Sequence, residues 1–297
     1  MLIKDIGEFG LIDRIRKISK TGPSVIKGIG DDCAVVKYTP GKYLLLTSDM
    51  LICDVDFTST EKPYLVGRKA LAVSLSDIAA CAGVPLYALV SLGVPARTKI
   101  KYIDEFYRGM NTLAKKYKVS IIGGDLSRSR KITVDVSVAA EVDKEKLVLR
   151  NGARRDDIIM VSGRLGGSIK GKHLKFTPRV KEAIFLTKNF RINSMIDISD
   201  GLTQDLGHIL KESSHGAIIY EDLIPLSKSA RSLNDALNSG EDFELLFTLS
   251  IPQARKLLSS SRKFIPIGHI IDKRFGLVLL GKNGRAVKIK PRGFKHF

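Results

Sequence analysis

The residues of this chain that could do chemistry are aspartates, and their placement recurs. Asp31 and Asp32 follow Gly28-Ile29-Gly30, just before a strand-like run. Asp49 reads as the end of the strand Leu44-Leu45-Leu46-Thr47-Ser48. Asp77 falls late in an apolar helical stretch, after Ser76, and Asp125 follows Ile121-Ile122-Gly123-Gly124. Asp197 and Asp200 bracket Ser199. Each acid lies at or near the end of an apolar element, beside Gly or Ser. A single Asp so placed reads as a cap or turn residue, and Asp200 before Gly201-Leu202 suits a helix N-cap. A set of them is different, because clustered carboxylates repel one another unless a cation neutralises them. Oxygen ligands supported by Ser and Thr, without Cys or His, suit Mg²⁺. Magnesium in turn points to phosphate chemistry.

Two phosphate motifs fail when tested. Gly28-Ile29-Gly30 lacks the third glycine and the strand-to-helix setting of a dinucleotide fingerprint. Gly166-Gly167-Ser168-Ile169-Lys170-Gly171-Lys172-His173 approaches a P-loop, but His173 replaces the Ser/Thr and Pro178 interrupts the helix that should follow.

The elements that must position these acids mix helix and strand in both halves. Helical spacing of apolar residues runs from Gly7 to Lys17, from Pro63 to Ala82 and from Ile100 to Tyr117. Further helices are expected from Pro178, after Gly201 and from Pro252. Strands are expected at 34–36, 44–46, 86–94, 119–122, 132–142, 158–162, 243–249 and 277–280. The charged stretch from Asp143 to Arg155 reads as a boundary, giving domains 1–143 and 144–297. A length of 297 residues suits two domains.

Composition bounds the function. The hydrophobic share is 44%, enough for a core, so wholesale disorder is excluded. Cys33, Cys53 and Cys81 are odd in number and form no C-x-x-C pair, which argues against a disulfide framework or a zinc site. Buried thiols in a reducing cytoplasm are expected instead. Met1-Leu2-Ile3-Lys4-Asp5 lacks the apolar stretch of a signal peptide. The most apolar segment, 70–95, contains Asp77 and Pro85 and reads as core, not as a membrane span. The net charge of +18 raises the question of nucleic acid. The basic residues are scattered, no nucleic-acid-binding motif appears and Trp is absent, so a solvated basic surface is expected.

Five segments, in order, resemble the thiamine-monophosphate kinases. They are Gly28-Ile29-Gly30-Asp31-Asp32-Cys33-Ala34, the stretch from Lys69 to Ala80, Ile122-Gly123-Gly124-Asp125, Ile196-Asp197-Ile198-Ser199-Asp200-Gly201-Leu202, and Ser239-Gly240-Glu241-Asp242-Phe243-Glu244-Leu245. The match extends from Gly7-Glu8-Phe9 to Gly293-Phe294-Lys295-His296-Phe297. The resemblance implies an α+β (mixed α/β) chain with the two-domain fold of aminoimidazole ribonucleotide synthetase, its N-terminal domain pairing across a homodimer. It implies ATP-dependent phosphorylation of thiamine monophosphate to thiamine diphosphate with several Mg²⁺ ions. Asp32, Thr47, Ser48, Asp49, Asp77, Asp125, Asp197 and Asp200 match metal positions. Gly124, Asp125, Arg150 and Ser199 match nucleotide positions, with Tyr107 a weaker match. Glu241 and Phe294 match substrate positions. The acceptor phosphate is already ionised near neutral pH, so in-line transfer without a protein base or a phosphoenzyme is expected. His208 reads as structural.

Two departures stand out. Asp56 takes the place of the family's usual His before Phe57, where it either faces the thiazolium cation or marks a different acceptor. The segment 166–179 is shorter than the family's glycine turn and helix. The alternative within the superfamily is a purine-pathway cyclo-ligase type of enzyme with another acceptor. A nucleic-acid binder would explain the charge but not the ordered aspartates.

Overall fold

The computed structural model describes residues 2–294; Lys295, His296 and Phe297, which close the C-terminal match, lie outside the described residues. Helix α1 (Ile3–Ile18) buries no side chain and bends at Gly7, whose φ is 64°. Strands β1 (Val25–Lys27), β2 (Ala34–Lys37), β3 (Lys42–Ile52), β4 (Val84–Val94), β5 (Ser120–Arg128) and β6 (Thr133–Asp143) form a six-stranded sheet in the order β1-β2-β3-β6-β4-β5. Its pairs are antiparallel apart from β4–β5. Helices α2 (Pro63–Ala80) and α3 (Ile100–Tyr117) interrupt the strand sequence.

The burial pattern of β6 alternates strictly between buried and half-buried residues, because one face of the sheet meets the core. In β3 the odd positions point inward, while Leu46, Ser48 and Met50 point out and are exposed. Helix α3 buries one stripe, Phe106, Gly109, Met110, Leu113, Ala114 and Tyr117, and ends at Lys118 in the left-handed conformation. Helix α2 is buried on nearly every side, as its uninterrupted small and apolar residues require.

The second sheet has seven strands: β7 (Ile158–Val161), β8 (Ser194–Asp197), β9 (Gly216–Tyr220), β10 (Leu245–Leu249), β11 (Ile265–Ile271), β12 (Leu277–Leu280) and β13 (Ala286–Ile289). Their order is β13-β12-β9-β11-β7-β10-β8. Helices α4 (Lys172–Lys175), α5 (Val180–Asn189), α6 (Leu202–Ser213), α7 (Leu233–Asn238) and α8 (Ile251–Ser260) complete the chain. One core cluster joins the halves: Leu71 and Leu75 of α2 belong to the same buried group as Leu186, Met195 and Phe247.

Three expectations are corrected. Asp49 does not end its strand, since β3 pairs with β6 as far as Ile52↔Thr133. Asp125 likewise lies inside β5, which pairs with β4 as far as Val94↔Arg128. The N-cap of α6 is Gly201, not Asp200; the Asp205 carboxylate reaches back and accepts from the N–H groups of Asp200 and Gly201 at 3.1 and 3.0 Å.

Helices α2 and α3 cross closely through two glycines. A Cβ on Gly109 would stand 1.8 Å from the Tyr64 carbonyl oxygen, and one on Gly67 would stand 1.9 Å from that of Phe106. In an open helix Gly→Ala gains up to about 1 kcal/mol. Here the clash reverses the sign: Gly109→Ala is expected to cost about 1–3 kcal/mol. A thermal melt reads this directly, and a higher midpoint for Gly109→Ala would contradict the crossing.

Candidate active site

Four carboxylates from separate elements converge between the sheets. Asp32 comes from the loop after β1, Asp49 from the inner face of β3, Asp77 from the last turn of α2 and Asp197 from the end of β8. Carboxylate oxygens of Asp32, Asp77 and Asp197 lie within 4.8 Å of one another. Thr47 Oγ1 donates to Asp77 Oδ2 at 2.5 Å, and Ser76 Oγ donates to Asp197 Oδ2 at 2.6 Å. Arg150 Nη2 donates to Asp32 Oδ1 at 2.7 Å, and the Arg150 N–H points at Asp31 Oδ1 at 3.2 Å. Asp32 Oδ2, Asp49 Oδ2 and Arg150 Nε are sealed from solvent without a hydrogen-bond partner.

Burial and mutual repulsion dominate the electrostatics. Burial, then the charge of Asp32, push Asp197 up to about 8. Burial and the charges of Asp49, Asp197 and Asp32 hold Asp77 well above the usual carboxylate range. Burial lifts Asp49 to about 6, with the Ser74 hydroxyl opposing and the charge of Asp135 adding to the rise. Asp31 also rises to about 6, by burial and the charge of Asp32. Burial opposes the charge of Arg150, but Asp32 and Asp31 beside it raise its pKa, so it stays cationic. One guanidinium faces more acid than it can neutralise. The donor set is all oxygen and includes two orphaned carboxylate oxygens, which fits a hard divalent cation.

Beside this cluster opens a cleft of about 450 Å³, lined by Asp49, Asp56, Ser199, Asp200, Glu241 and Phe294 among others. Two loops build its floor by clasping each other. The Glu241 N–H donates to the Ser199 carbonyl at 2.6 Å and the Phe243 N–H to that of Ile198 at 2.8 Å. Glu241 takes a left-handed conformation, φ 64°. Its carboxylate meets Lys69 Nζ and lies 3.1 Å from His173 Nδ1. Burial alone would raise the pKa of Glu241, but His173 and Lys69 hold it below its ordinary value. Asp56 lines the same cleft, and its Oδ2 accepts from the Ile52 N–H at 2.7 Å.

Other candidate residues stand apart. Ser48 projects from the opposite face of β3 to Thr47 and Asp49, and donates to Asp135 at 2.9 Å. Asp125 is exposed on β5 and accepts from Ser127 Oγ at 2.9 Å. Strand β5 lies three places from β3, about 14 Å at the usual strand spacing. Beside Asp125, Gly124 has φ 150° and its added Cβ would stand 1.8 Å from the Val90 carbonyl, so only glycine fits. Tyr107 lines a shallow groove on α3 with Asp104, Arg108 and Asn111. His208 stacks edge-on against Phe9 with ring centroids 5.0 Å apart, and burial lowers its pKa to about 4.

Residues 30–142 match the family of AIR synthase related proteins, N-terminal domain, and residues 149–279 match the corresponding C-terminal domain. The thiamine-monophosphate kinase of Aquifex aeolicus (strain VF5) is 34% identical over 326 aligned residues, covering 100% of both chains. That of Bacillus subtilis (strain 168) is 33% identical over 98% of this chain and 99% of its own length. The chain belongs to the thiamine-monophosphate kinase family. The solved structure of AaThiL complexed with AMPPCP and TMP superposes with a TM-score of 0.89 at 33% identity, covering 100% of this chain and 99% of that one. The crystal structure of the Aquifex aeolicus thiamine monophosphate kinase gives a TM-score of 0.82 at 30% identity, covering 97% and 100%.

Within this thiamine-monophosphate kinase fold, two site residues escaped sequence reading. Lys69 carried a signal, since it is a lysine at the head of a stretch that is otherwise apolar and small. His173 carried none, because it looked only like the residue that spoils a P-loop.

The raised carboxylates carry a pH consequence for the kinase without divalent cations. Asp197 titrates near an ordinary 3.8 when unfolded and about 8 when folded, so the folded state holds more protons between these values. Stability is therefore greatest at the acid end of that window and falls as pH rises through it. Asp197→Asn is expected to raise the melting temperature of the cation-free protein at pH 8 by several degrees and to remove the benefit of added Mg²⁺. An unchanged melting curve would mean the cluster carries no repulsion.

Proposed function

We propose that this chain transfers the γ-phosphoryl group of ATP directly to the phosphate of thiamine monophosphate, in line, with several Mg²⁺ ions held by its carboxylates. The carrying observation is the converging set Asp32, Asp49, Asp77 and Asp197, with one oxygen each of Asp32 and Asp49 sealed and unpartnered, next to an acidic cleft that holds aromatic rings. The kinase relatives and the complex of AaThiL with AMPPCP and TMP support the same reading.

Metal ions bound there would neutralise the carboxylates and the phosphate oxygens, which otherwise repel both each other and the incoming nucleotide. Asp32, Thr47, Asp49, Asp77 and Asp197 supply the central ligands, with Asp200, Ser48 and Asp125 as outlying ones. Arg150 stays charged and offers a fixed cation to a nucleotide phosphate. Ser199 and Gly124 are nucleotide contacts in this reading. Phe294 offers a ring face and Asp56 and Glu241 offer carboxylates in the acceptor cleft, which suits a flat heteroaromatic cation. The acceptor needs no base, because a phosphate monoester is largely ionised at neutral pH. The chain's contribution is alignment and charge, not proton transfer.

The reading includes a homodimer. One face of the first sheet exposes Leu46, Met50, Tyr87, Leu89 and Ile122, an apolar surface that wants a cover. Ser48, Asp125 and Gly124 lie on or beside that sheet, so a second copy would bring them toward a nucleotide. The division into domains 1–143 and 144–297 belongs to this reading too. So does a cytoplasmic setting, supported by three buried free cysteines. No helix among the described residues is long and apolar enough to cross a membrane.

Two measurements test this. Incubation with ATP, Mg²⁺ and thiamine monophosphate should give thiamine diphosphate by chromatography, and Asp77→Asn should cut the rate at least a hundredfold, about the loss of one strong electrostatic contact. ATP binding without this product would move the acceptor elsewhere. Separately, Leu89→Lys with Ile122→Lys should convert a dimer to a monomer in sedimentation; a parent that sediments as a monomer refutes the pairing.

A further inference from the structure

We propose that Lys69 and His173 form a clamp that aims the Glu241 carboxylate at the acceptor, which makes His173 a positioning residue for thiamine monophosphate. This rests on the reading of the Glu241 cleft as the acceptor site.

The geometry is specific. Lys69 is fully buried in α2, and His173 is 4% exposed on α4. Lys69 Nζ donates to the Asp56 carbonyl at 2.7 Å and to Glu241 Oε1. His173 Nδ1 lies 3.1 Å from Glu241 Oε2 and 3.1 Å from Lys69 Nζ. In the clamp His173 carries a proton on Nδ1 and donates it to Glu241 Oε2, while the Lys69 ammonium, which can only donate, gives its hydrogens to Glu241 Oε1 and the Asp56 carbonyl. Each Glu241 oxygen thus has one donor from the protein and keeps a lone pair for a ligand. A buried ammonium is costly without a countercharge, and Glu241 supplies it for Lys69.

The segment that carries His173 does not need this contact to stay in place. Asp242 accepts from the Gly166 N–H at 2.8 Å and from Ser168. Arg179 makes two 2.7 Å bonds to Glu244, and Lys172 adds a third at 3.0 Å. Asp242 and Glu244 therefore hold the segment, and the segment returns His173 to Glu241, next to Asp242 and three residues before Glu244. A residue not needed for anchoring, but buried against a cleft carboxylate, acts on that carboxylate. Through the Asp56 carbonyl, Lys69 also ties the loop that forms the opposite wall of the cleft.

The test compares His173→Leu, which removes the donor, with His173→Asn, which places an N–H near the former Nδ1. His173→Leu is expected to raise the KM for thiamine monophosphate by about tenfold, the usual worth of a hydrogen bond to a charged group, with the KM for ATP within about twofold. His173→Asn should recover most of the loss. In a Glu241→Gln background the His173→Leu change should add little, because both act on one contact. Equal losses for both substrates, no rescue by Asn, or full additivity with Glu241→Gln would overturn the clamp. A second readout needs no turnover. The nitrogen spectrum of histidine-labelled protein should show His173 protonated at Nδ1, with that signal shifting in Glu241→Gln; an Nε2–H tautomer refutes the proposal. The parent's own turnover of thiamine monophosphate checks the functional reading independently.

Discussion

Repulsion among converging carboxylates is the constraint on which this architecture turns. Asp32, Asp49, Asp77 and Asp197 come from a loop, a strand, a helix and a second sheet. Nothing in their own backbones favours bringing them together. The surrounding packing does so, and one core cluster that spans both sheets stabilises the arrangement. Hydrophobic burial supplies the free energy, and part of it goes into raising the proton affinity of these acids, Asp77 and Asp197 most of all. Arg150 relieves only one corner, since its bond goes to Asp32 while its Nε has no partner. A protein selected for stability alone would replace such acids. Their joint presence supports the proposal that they hold metal cations.

Helix α2 connects the two ends of the site. Lys69 lies near its start and Asp77 near its end. Eight residues at a rise of 1.5 Å separate them by about 12 Å, and the twist offsets them by about 80° around the axis. One end presents a cation that holds Glu241, and the other presents an acid of the carboxylate cluster. The close crossing of α3 over Gly67 and Gly109 fixes the position of this rod against the first sheet. The same rod touches the second domain through α4, α5 and β8. A shift of α2 would move both ends together, so the spacing between the Glu241 contact and the carboxylate cluster is a property of a single element.

Much of this was legible in the chain. The period of α3 gave its limits, and the apolar runs located most strands. The recurring Asp beside Gly or Ser located the central cluster. Strand ends were not legible: Asp49 and Asp125 look terminal because polar residues interrupt an apolar run, yet the ladder to a neighbouring strand continues past each. Period-two alternation already separates Ser48 from Thr47 and Asp49, a fact hidden when the three are read only as a motif. The Lys69–Glu241 contact joins positions 172 residues apart, and Lys69–His173 joins positions 104 apart. Such pairs depend on how two domains dock, and no local pattern encodes that.

The basic balance of the chain also acquires a physical sense. The net charge is +18. Among the described residues, six acids are buried, namely Asp32, Asp157, Asp197, Asp205, Asp242 and Glu244, against a single buried lysine and no buried arginine. The surface is therefore more positive than the total implies. A nucleotide and a phosphate ester are both anions, and an acidic pocket alone would repel them. A cationic exterior around an acidic interior attracts such ligands at long range. In the proposed reading the carboxylates receive them at contact together with metal cations. Charge of one sign attracts the substrates to the protein, and in that reading charge of the other sign ties their binding to metal. The two features that seemed to contradict each other in the sequence thus act at different distances.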